Sequence, residues 1–323
     1  MKLIVQIPCF NEEHTLPQTV ADIPRHIPGV DKVEILIIDD GSTDRTVDVA
    51  RKIGVDHIVS HRRNRGLALS FMTGIEACLA LGADIIVNTD GDNQYCGADI
   101  PALIQPVLDN KADMVIGDRK TDTIDHFSFV KKKLQKAGSM IVRLLSQTLV
   151  PDAVSGFRAF SREAAMQINI VSRYSYTVET VIQAGNKSLA ISSVPVRTNP
   201  KTRESRLFKS VPNFLFYQIS TMVRMYAMFR PLKAFFIMGG LCLLGGLIPS
   251  ARFLFFYLAG KGDGHIQSLI MAAVLFIVGF QILVLGLLGD LISHNRKLIE
   301  EALLRVRRME LDKEDGRELK IEN

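Results

Sequence analysis

A chain of 323 residues with 47% hydrophobic and 23% charged residues carries too much apolar side chain to stay disordered, and its length suggests about two ordinary domains. A formal charge of +5 and a pI near 9.0 permit a nucleic-acid partner, but the basic residues crowd beside apolar runs and do not interleave with aromatics, which argues against one. The four cysteines (Cys9, Cys78, Cys96 and Cys242) show neither CxxC nor Cys/His spacing, which excludes a zinc module and fits unpaired thiols in a reducing compartment.

Short β-branched runs alternate with helical patterns through the first half of the chain. Strands are predicted at Lys2–Pro8, Val33–Asp39, His57–Ser60, Asp84–Asn88 and Asp113–Ile116. Helices are predicted at Thr15–His26, Asp44–Ile53, Gly66–Leu81 and Asp99–Leu108. This alternation implies an α/β fold, a mostly parallel sheet with helices on both faces. Ligands of such sheets bind outside the carboxyl ends of the strands. That rule directs attention to Cys9–Glu13, Asp39–Asp44, Asp90–Tyr95 and Gly117–Arg119. No signal peptide is legible, because the apolar stretch after Lys2 runs only from Leu3 to Ile7 before Pro8. The N-terminal part is therefore expected in the cytoplasm.

Farther along, Phe208, Val211, Leu215, Ile219, Met222, Tyr226 and Phe229 recur at three- and four-residue spacing within Leu207–Arg230. The stripe predicts amphipathic helices lying in a membrane interface, a core helix of the soluble domain being the alternative. Between Ala234 and Ala259 the only charged side chain is Arg252, and between Ser268 and Gly289 there is none. Each run is about the ~20 residues that cross a bilayer. Pro249 and Arg252 leave a tilted or re-entrant first segment open. Arg224, Arg230 and Lys233 flank one side, and Arg296, Lys297, Arg305, Arg307 and Arg308 the other. The connecting Gly260–Gln267 holds only Lys261 and His265 as basic residues. The positive-inside rule then places both flanks in the cytoplasm and makes the spans a hairpin. The expected organisation is a cytoplasmic catalytic domain (1–206), interfacial helices (207–231), two transmembrane helices (232–292) and a charged cytoplasmic tail (293–323), frayed from Glu310.

Chemistry is suggested first by Asp90-Gly91-Asp92, which follows an apolar strand. Two carboxylates one residue apart can hold one divalent cation through oxygen ligands, and Mg²⁺ or Mn²⁺ held there neutralises a diphosphate leaving group. Ordinary turns also produce this pattern. Its place at a strand end, with Asn93 and Gln94 behind it, favours the metal. Asp39–Asp44 closes another strand, as a turn and helix cap or as a carboxylate pair awaiting a base, a ribose hydroxyl or a metal. The histidines form no ligand set, His57 and His61 lack the glutamate of HExxH, and neither GxSxG nor a Walker pattern is present.

In order along the chain, Pro8–Glu13 (PCFNEE), Asp39–Thr43 (DDGST), Asn64–Leu67 (NRGL) and Asp90–Gln94 (DGDNQ) resemble glycosyltransferase family 2, inverting enzymes of the GT-A fold. Gly117-Asp118-Arg119, Ser155–Arg158 (SGFR) and Thr202–Leu207 (TRESRL) narrow the resemblance. They are similar to the polyprenyl-phosphate glycosyltransferases, the dolichol-phosphate mannose synthase and bactoprenol glucosyltransferase group. The resemblance spans roughly residues 3–290. It implies a GT-A-like sheet, a UDP- or GDP-linked sugar as donor, and undecaprenyl or dolichyl phosphate as acceptor. By the family pattern, Pro8, Asn11, Glu12 and Asp39 would line the nucleotide pocket. Asp90 and Asp92 would hold the metal and diphosphate, and Gln94 would lie near the sugar. Arg119, Lys132 or Lys133, and Ser139 would face the acceptor phosphate, with Arg203 and Arg206 near both phosphates. Asp40, Asn64, Gly66, Arg158 and Ser205 complete the expected substrate-binding set. The chain departs from the usual GKG at Gly66-Leu67-Ala68 and from GSR at Gly117-Asp118-Arg119, while keeping the first glycine and the arginine.

Elementary chemistry agrees with that acceptor. A polyprenyl phosphate has a second pKa near ~6, so its oxygen is already an ionised nucleophile at neutral pH. No strong base is needed, and the difficulty is to bring two anions together among cations. Arg119, Lys131–Lys133, Arg158, Arg203 and Arg206 are the candidates, a headgroup-facing basic surface being the plainer account. A processive polysaccharide synthase would require a QxxRW segment, and the chain has no tryptophan. A non-catalytic membrane accessory subunit would have no use for Asp39, Asp40, Asp90 and Asp92. The expected partners are the two substrates, the lipid bilayer and further copies in a homo-oligomer.

Overall fold

Seven of the eight residues in β1 (Lys2–Cys9) are buried, and so are seven of the eight in β2 (Lys32–Asp39). Such near-continuous buried runs, mostly apolar but including Gln6, Glu34 and Asp39, belong to strands covered on both faces. The computed structural model describes residues 1–120, 148, 150–171, 176–200, 220, 223–260 and 265–321. Among these, β3 (His57–Ser60), β4 (Ile85–Asn88), β5 (Met114–Asp118), β6 (Arg158–Ser161) and β7 (Ile191–Pro195) complete a seven-stranded sheet of order β3-β2-β1-β4-β6-β5-β7. The pairs β1–β2, β1–β4, β2–β3 and β5–β7 are parallel. Only β6 runs against its neighbours β4 and β5. The mostly parallel sheet expected from the alternation is therefore present.

Helices α1 (Leu16–Ala21), α2 (Thr46–Lys52), α3 (Leu67–Ala80) and α4 (Ile100–Leu108) follow the first, second, third and fourth strands. The first is shorter than the expected Thr15–His26, because Pro24 disfavours helical backbone in the residue before it. One apolar layer joins Leu3, Val5 and Ile7 to Leu16, Val20, Ile100 and Leu103. The short β6 was not foreseen. Its insertion between β4 and β5 pairs Arg158 with both Asn88 and Ile116, which brings the SGFR segment beside the strand that carries the DGD turn. Helix α5 (Arg162–Gln167) follows at once, capped where Ser161 Oγ accepts from the Ala164 amide. Helix α6 (Thr177–Asn186) then leads to β7.

The chain divides into two compact units, Met1–Met222 with Leu304–Asn323, and Val223–Leu303. In the second unit residues 223–229 are helical and α7 (Pro231–Leu258) follows, while α8 (Ile266–Ile321) begins in that unit and its residues from Leu304 belong to the first. Both are long and apolar enough to cross a membrane. They pack antiparallel through small residues. A Cβ on Gly239 would lie 2.9 Å from the Gly279 carbonyl oxygen, one on Gly286 2.8 Å from Phe235 Cβ, and one on Gly289 2.9 Å from Pro231 Cβ. Helix α7 continues through Pro249. The outward faces are apolar, with Ile237, Leu241, Ile248 and Leu291 exposed.

The tail expected to fray from Glu310 is helical to Ile321, where the good helix formers Leu, Glu, Lys and Arg outnumber the poorer Asp312, Asp315 and Gly316. In the first unit Arg307 donates to the Met166 carbonyl (3.0 Å) near the end of α5 and pairs with Glu76, while Arg308 pairs with Glu163. Of the expected interfacial helices, residues 207–219 and 221–222 lie outside the described residues, as does the expected boundary at residue 206.

Candidate active site

Parallel pairing aligns Cys9 with Asp39 and Gln6 with Asn88, so the turns after β1, β2 and β4 emerge at one edge of the sheet. Side-chain to backbone hydrogen bonds stitch the first two together. Asn11 Oδ1 accepts from the Thr43 amide at 2.8 Å, Ser42 Oγ accepts from the Asn11 amide at 2.9 Å, and Thr46 Oγ1 accepts from the Glu12 amide at 2.8 Å. Asn11 reaches this geometry at φ 57°, a left-handed backbone that asparagine tolerates better than most residues. The Thr15 hydroxyl lies 2.8 Å from Glu12 Oε2 and 2.9 Å from the Gly91 carbonyl oxygen, a link to the third turn.

The adjacent aspartates do different things. Asp39 accepts from the Ser42 amide at 3.0 Å and so shapes its own turn. Asp40 reaches into the next loop, where its two oxygens accept from the Arg65 and Gly66 amides, each at 2.8 Å, and Oδ1 also meets His61 Nδ1 at 2.8 Å. It fastens the NRG loop, and through it Asn64 and Gly66. Gly41 (φ +71°) sits against the same loop, because a Cβ there would lie 2.5 Å from the Arg63 carbonyl carbon. Beside the loop is a cavity of about 570 Å³ lined by Arg63, Asn64, Arg65, Ala68, Leu69, Ile170 and Val171.

Asp90 and Asp92 are half-buried at the end of β4. Asp92 Oδ1 accepts from the Gln94 amide at 3.1 Å. Gly91 presses on the first turn, its Cβ position being 3.0 Å from Cys9 Sγ and 3.4 Å from the Pro8 carbonyl oxygen. Among the described residues no group of three or more His, Cys, Asp or Glu could hold a metal. The donor set is thus a carboxylate pair, which suits Mg²⁺ or Mn²⁺, ions that complete their shell with water and substrate phosphate oxygens. Zinc, which wants three or four nitrogen and sulfur ligands, fits poorly. Asn199 closes the far side: its amide donates to the Gln94 carbonyl at 2.9 Å and its side chain to the Asn93 carbonyl at 3.1 Å. No sequence signal singled it out.

Two expected phosphate-binding arginines have protein partners. Arg119 forms a two-point ion pair with Asp152 (2.7 and 3.0 Å), both side chains being nearly buried. Burial would raise the Asp152 carboxyl, and Arg119 outweighs it and holds the pKa below its ordinary value. Arg158 requires a corrected reading. It is fully buried, donating from Nε to the Ser155 carbonyl and from Nη2 to the Ala153 carbonyl (both 2.8 Å), and from Nη1 to the Thr180 hydroxyl. Burial pulls its pKa down to about 10. Its full burial and its bonds to the loop before β6 and to Thr180 of α6 make it a structural cation. Lys132, Lys133, Ser139, Arg203, Ser205 and Arg206 lie outside the described residues, as does Lys131.

Comparison with known proteins places this arrangement. The model of the family described as Glycosyl transferase family 2 matches residues 4–169. An uncharacterized protein of Methanocaldococcus jannaschii is 34% identical over 202 residues, 61% of this chain and 81% of that protein. The UDP-N-acetylglucosamine–dolichyl-phosphate N-acetylglucosaminyltransferase of Methanococcus voltae is 30% identical over 213 residues (59% and 83%), and the polyprenol monophosphomannose synthase of Mycolicibacterium smegmatis is 26% identical over 206 (60% and 76%). Among solved structures, glucosyl-3-phosphoglycerate synthase of Mycobacterium tuberculosis, crystallised with Mn²⁺, UDP and phosphoglyceric acid, superposes with a TM-score of 0.54 at 19% identity (71% and 78%), a likeness of fold. With the DDGST and DGDNQ turns brought to one sheet edge and the family model covering half of its length, this chain belongs to glycosyl transferase family 2.

Proposed function

We propose that the protein transfers a hexose from a nucleotide-diphosphate sugar to a polyprenyl phosphate at the cytoplasmic face of a membrane, with inversion at the anomeric carbon. The observation that carries this reading is the union, in one chain, of a carboxylate turn at a GT-A-like sheet edge with two helices long enough to cross a bilayer. The names of the Methanococcus voltae and Mycolicibacterium smegmatis relatives point to the same acceptor class.

In the reaction, a phosphate oxygen of the acceptor forms a bond to the anomeric carbon as the bond to the diphosphate breaks, and the nucleoside diphosphate leaves. One displacement inverts the centre. Asn11, Glu12 and Asp39 hold the turns that receive the nucleotide, and Asp40 keeps the Asn64–Gly66 loop in place for it. Asp90 and Asp92 would hold Mg²⁺ or Mn²⁺, which neutralises charge on the departing diphosphate. The acceptor needs no general base, since its phosphate is already ionised near neutral pH. Arg119, its charge balanced by Asp152, presents a rigid guanidinium beyond β5, and Arg203 and Arg206 are the expected further cations.

The test is to incubate membranes containing the full chain with radiolabelled UDP- and GDP-sugars in parallel and extract with organic solvent. Label should enter the lipid phase with one nucleotide class and be released by mild acid as free sugar. Label confined to the aqueous phase with every donor would sink the proposal.

Orientation has its own test. In intact cells the single variant His265→Cys should react with an impermeant thiol reagent, and Arg305→Cys should be protected. The reverse pattern would place the catalytic unit on the opposite side.

A further inference from the structure

Beneath the DGD turn runs a chain of buried polar groups that the site described so far does not use. Gln6 Nε2 donates to Asn88 Oδ1 at 2.9 Å, which fixes the orientation of the Asn88 amide. Asn88 Nδ2 in turn donates to the Gly156 carbonyl at 2.9 Å and to the Tyr176 hydroxyl at 2.8 Å. The Gly156 amide donates to the Tyr95 hydroxyl at 2.9 Å, so both polar groups flanking Gly156 are pinned. All these side chains are buried. The Tyr176 ring is held as well, stacked on Phe71 with centroids 4.0 Å apart and planes 2° from parallel.

Above this chain sits Asp90. A Cβ placed on Gly156 would lie 2.9 Å from the Tyr176 hydroxyl oxygen and 3.0 and 3.1 Å from the two carboxylate oxygens of Asp90. The phenol oxygen and the Asp90 carboxylate therefore both border the space that a side chain on Gly156 would fill. Tyr176 has one proton to donate, and its present acceptor, the Gly156 carbonyl at 3.3 Å, is long for a hydroxyl donor. A tyrosine hydroxyl keeps its proton near neutral pH, so a donor is available there. Groups that hydrogen-bond a metal-binding carboxylate fix its angle and tune its affinity.

We propose that Tyr176, held by Asn88, is a positioning residue for Asp90: its hydroxyl donates to the Asp90 carboxylate and fixes the angle at which that carboxylate meets a divalent cation. Gly156 is required because any side chain would separate the two. This rests on the reading of Asp90 and Asp92 as the metal pair.

The experiment measures Mn²⁺ binding to the detergent-purified full chain with UDP or GDP present, following free Mn²⁺ by electron paramagnetic resonance, for wild type, Tyr176→Phe, Gly156→Ala and Asp92→Asn. Tyr176→Phe keeps the stacked ring and removes one oxygen. It should weaken Mn²⁺ binding about tenfold and raise the Mn²⁺ concentration for half-maximal transfer equally, with kcat at saturating metal within about twofold. Gly156→Ala should weaken binding at least as much. Wild-type Mn²⁺ affinity in Tyr176→Phe, alongside loss of binding in Asp92→Asn, overturns the proposal and leaves the metal pair standing. A lowered Tm with unchanged affinity also overturns it, as the mark of a purely structural role. Wild-type affinity in Asp92→Asn overturns the metal reading and this proposal together.

Discussion

Asp92→Asn is expected to lower sugar transfer about a thousandfold, roughly 4 kcal/mol of lost transition-state stabilisation, while expression and membrane insertion stay at wild-type levels. The substitution is nearly isosteric, and the amide oxygen can still accept from the Gln94 amide, so the local turn survives. What disappears is one of the two negative charges that would face the proposed cation at the end of β4. Asp90→Asn should behave alike. EDTA should silence the wild-type enzyme, and added Mg²⁺ or Mn²⁺ should restore it, whereas the Asp92→Asn protein should recover little. Initial rates over a metal titration separate the cases. Full activity in Asp92→Asn would remove the carboxylate pair from the chemistry.

Gly41→Ala should raise the dissociation constant for the donor nucleotide at least about tenfold, close to 1.4 kcal/mol. Two penalties combine there. A positive φ costs an ordinary residue about 1–2 kcal/mol, and a Cβ would come within 2.8 Å of three backbone atoms of Arg63 and Asn64. Backbone cannot step aside as a flexible side chain can, so the DDGST turn and the NRG loop must separate. Gly54 supplies the control, since it shares φ +71° but has nothing within 4 Å of its Cβ position. Gly54→Ala should lower Tm by the backbone penalty alone and leave nucleotide binding untouched. Calorimetric titration with UDP and GDP distinguishes them. Equal nucleotide affinity in both variants would show that the contact between the two loops does not shape the nucleotide site.

Much of this could be read along the chain because it is written in neighbouring residues. Alternating apolar strands and helices dictate a parallel sheet. Polar clusters directly after those strands must come to its carboxyl edge, and DGD is such a cluster. Apolar runs long enough to cross a bilayer announce the paired helices by composition alone. The fate of the cations was different in kind. Arg119 and Arg158 look alike in sequence, two arginines with anions to attract. The fold brings Asp152 to one, 33 residues farther along, and surrounds the other with carbonyl oxygens from Ser155 and Ala153. Asp39 and Asp40 are likewise adjacent, yet one shapes its own turn and the other crosses to the Arg65 and Gly66 amides. The antiparallel β6, four residues long and begun by a charge, carried no strand pattern of its own. It exists because the gap between β4 and β5 offers hydrogen bonds on both sides. A charged or polar group takes its role from the partners that desolvate and pair with it, and the deciding ones here lie 22 to 33 residues away, Asp152 for Arg119, Thr180 for Arg158 and the Arg65 and Gly66 amides for Asp40, so only the tertiary structure decided how each of these residues is held.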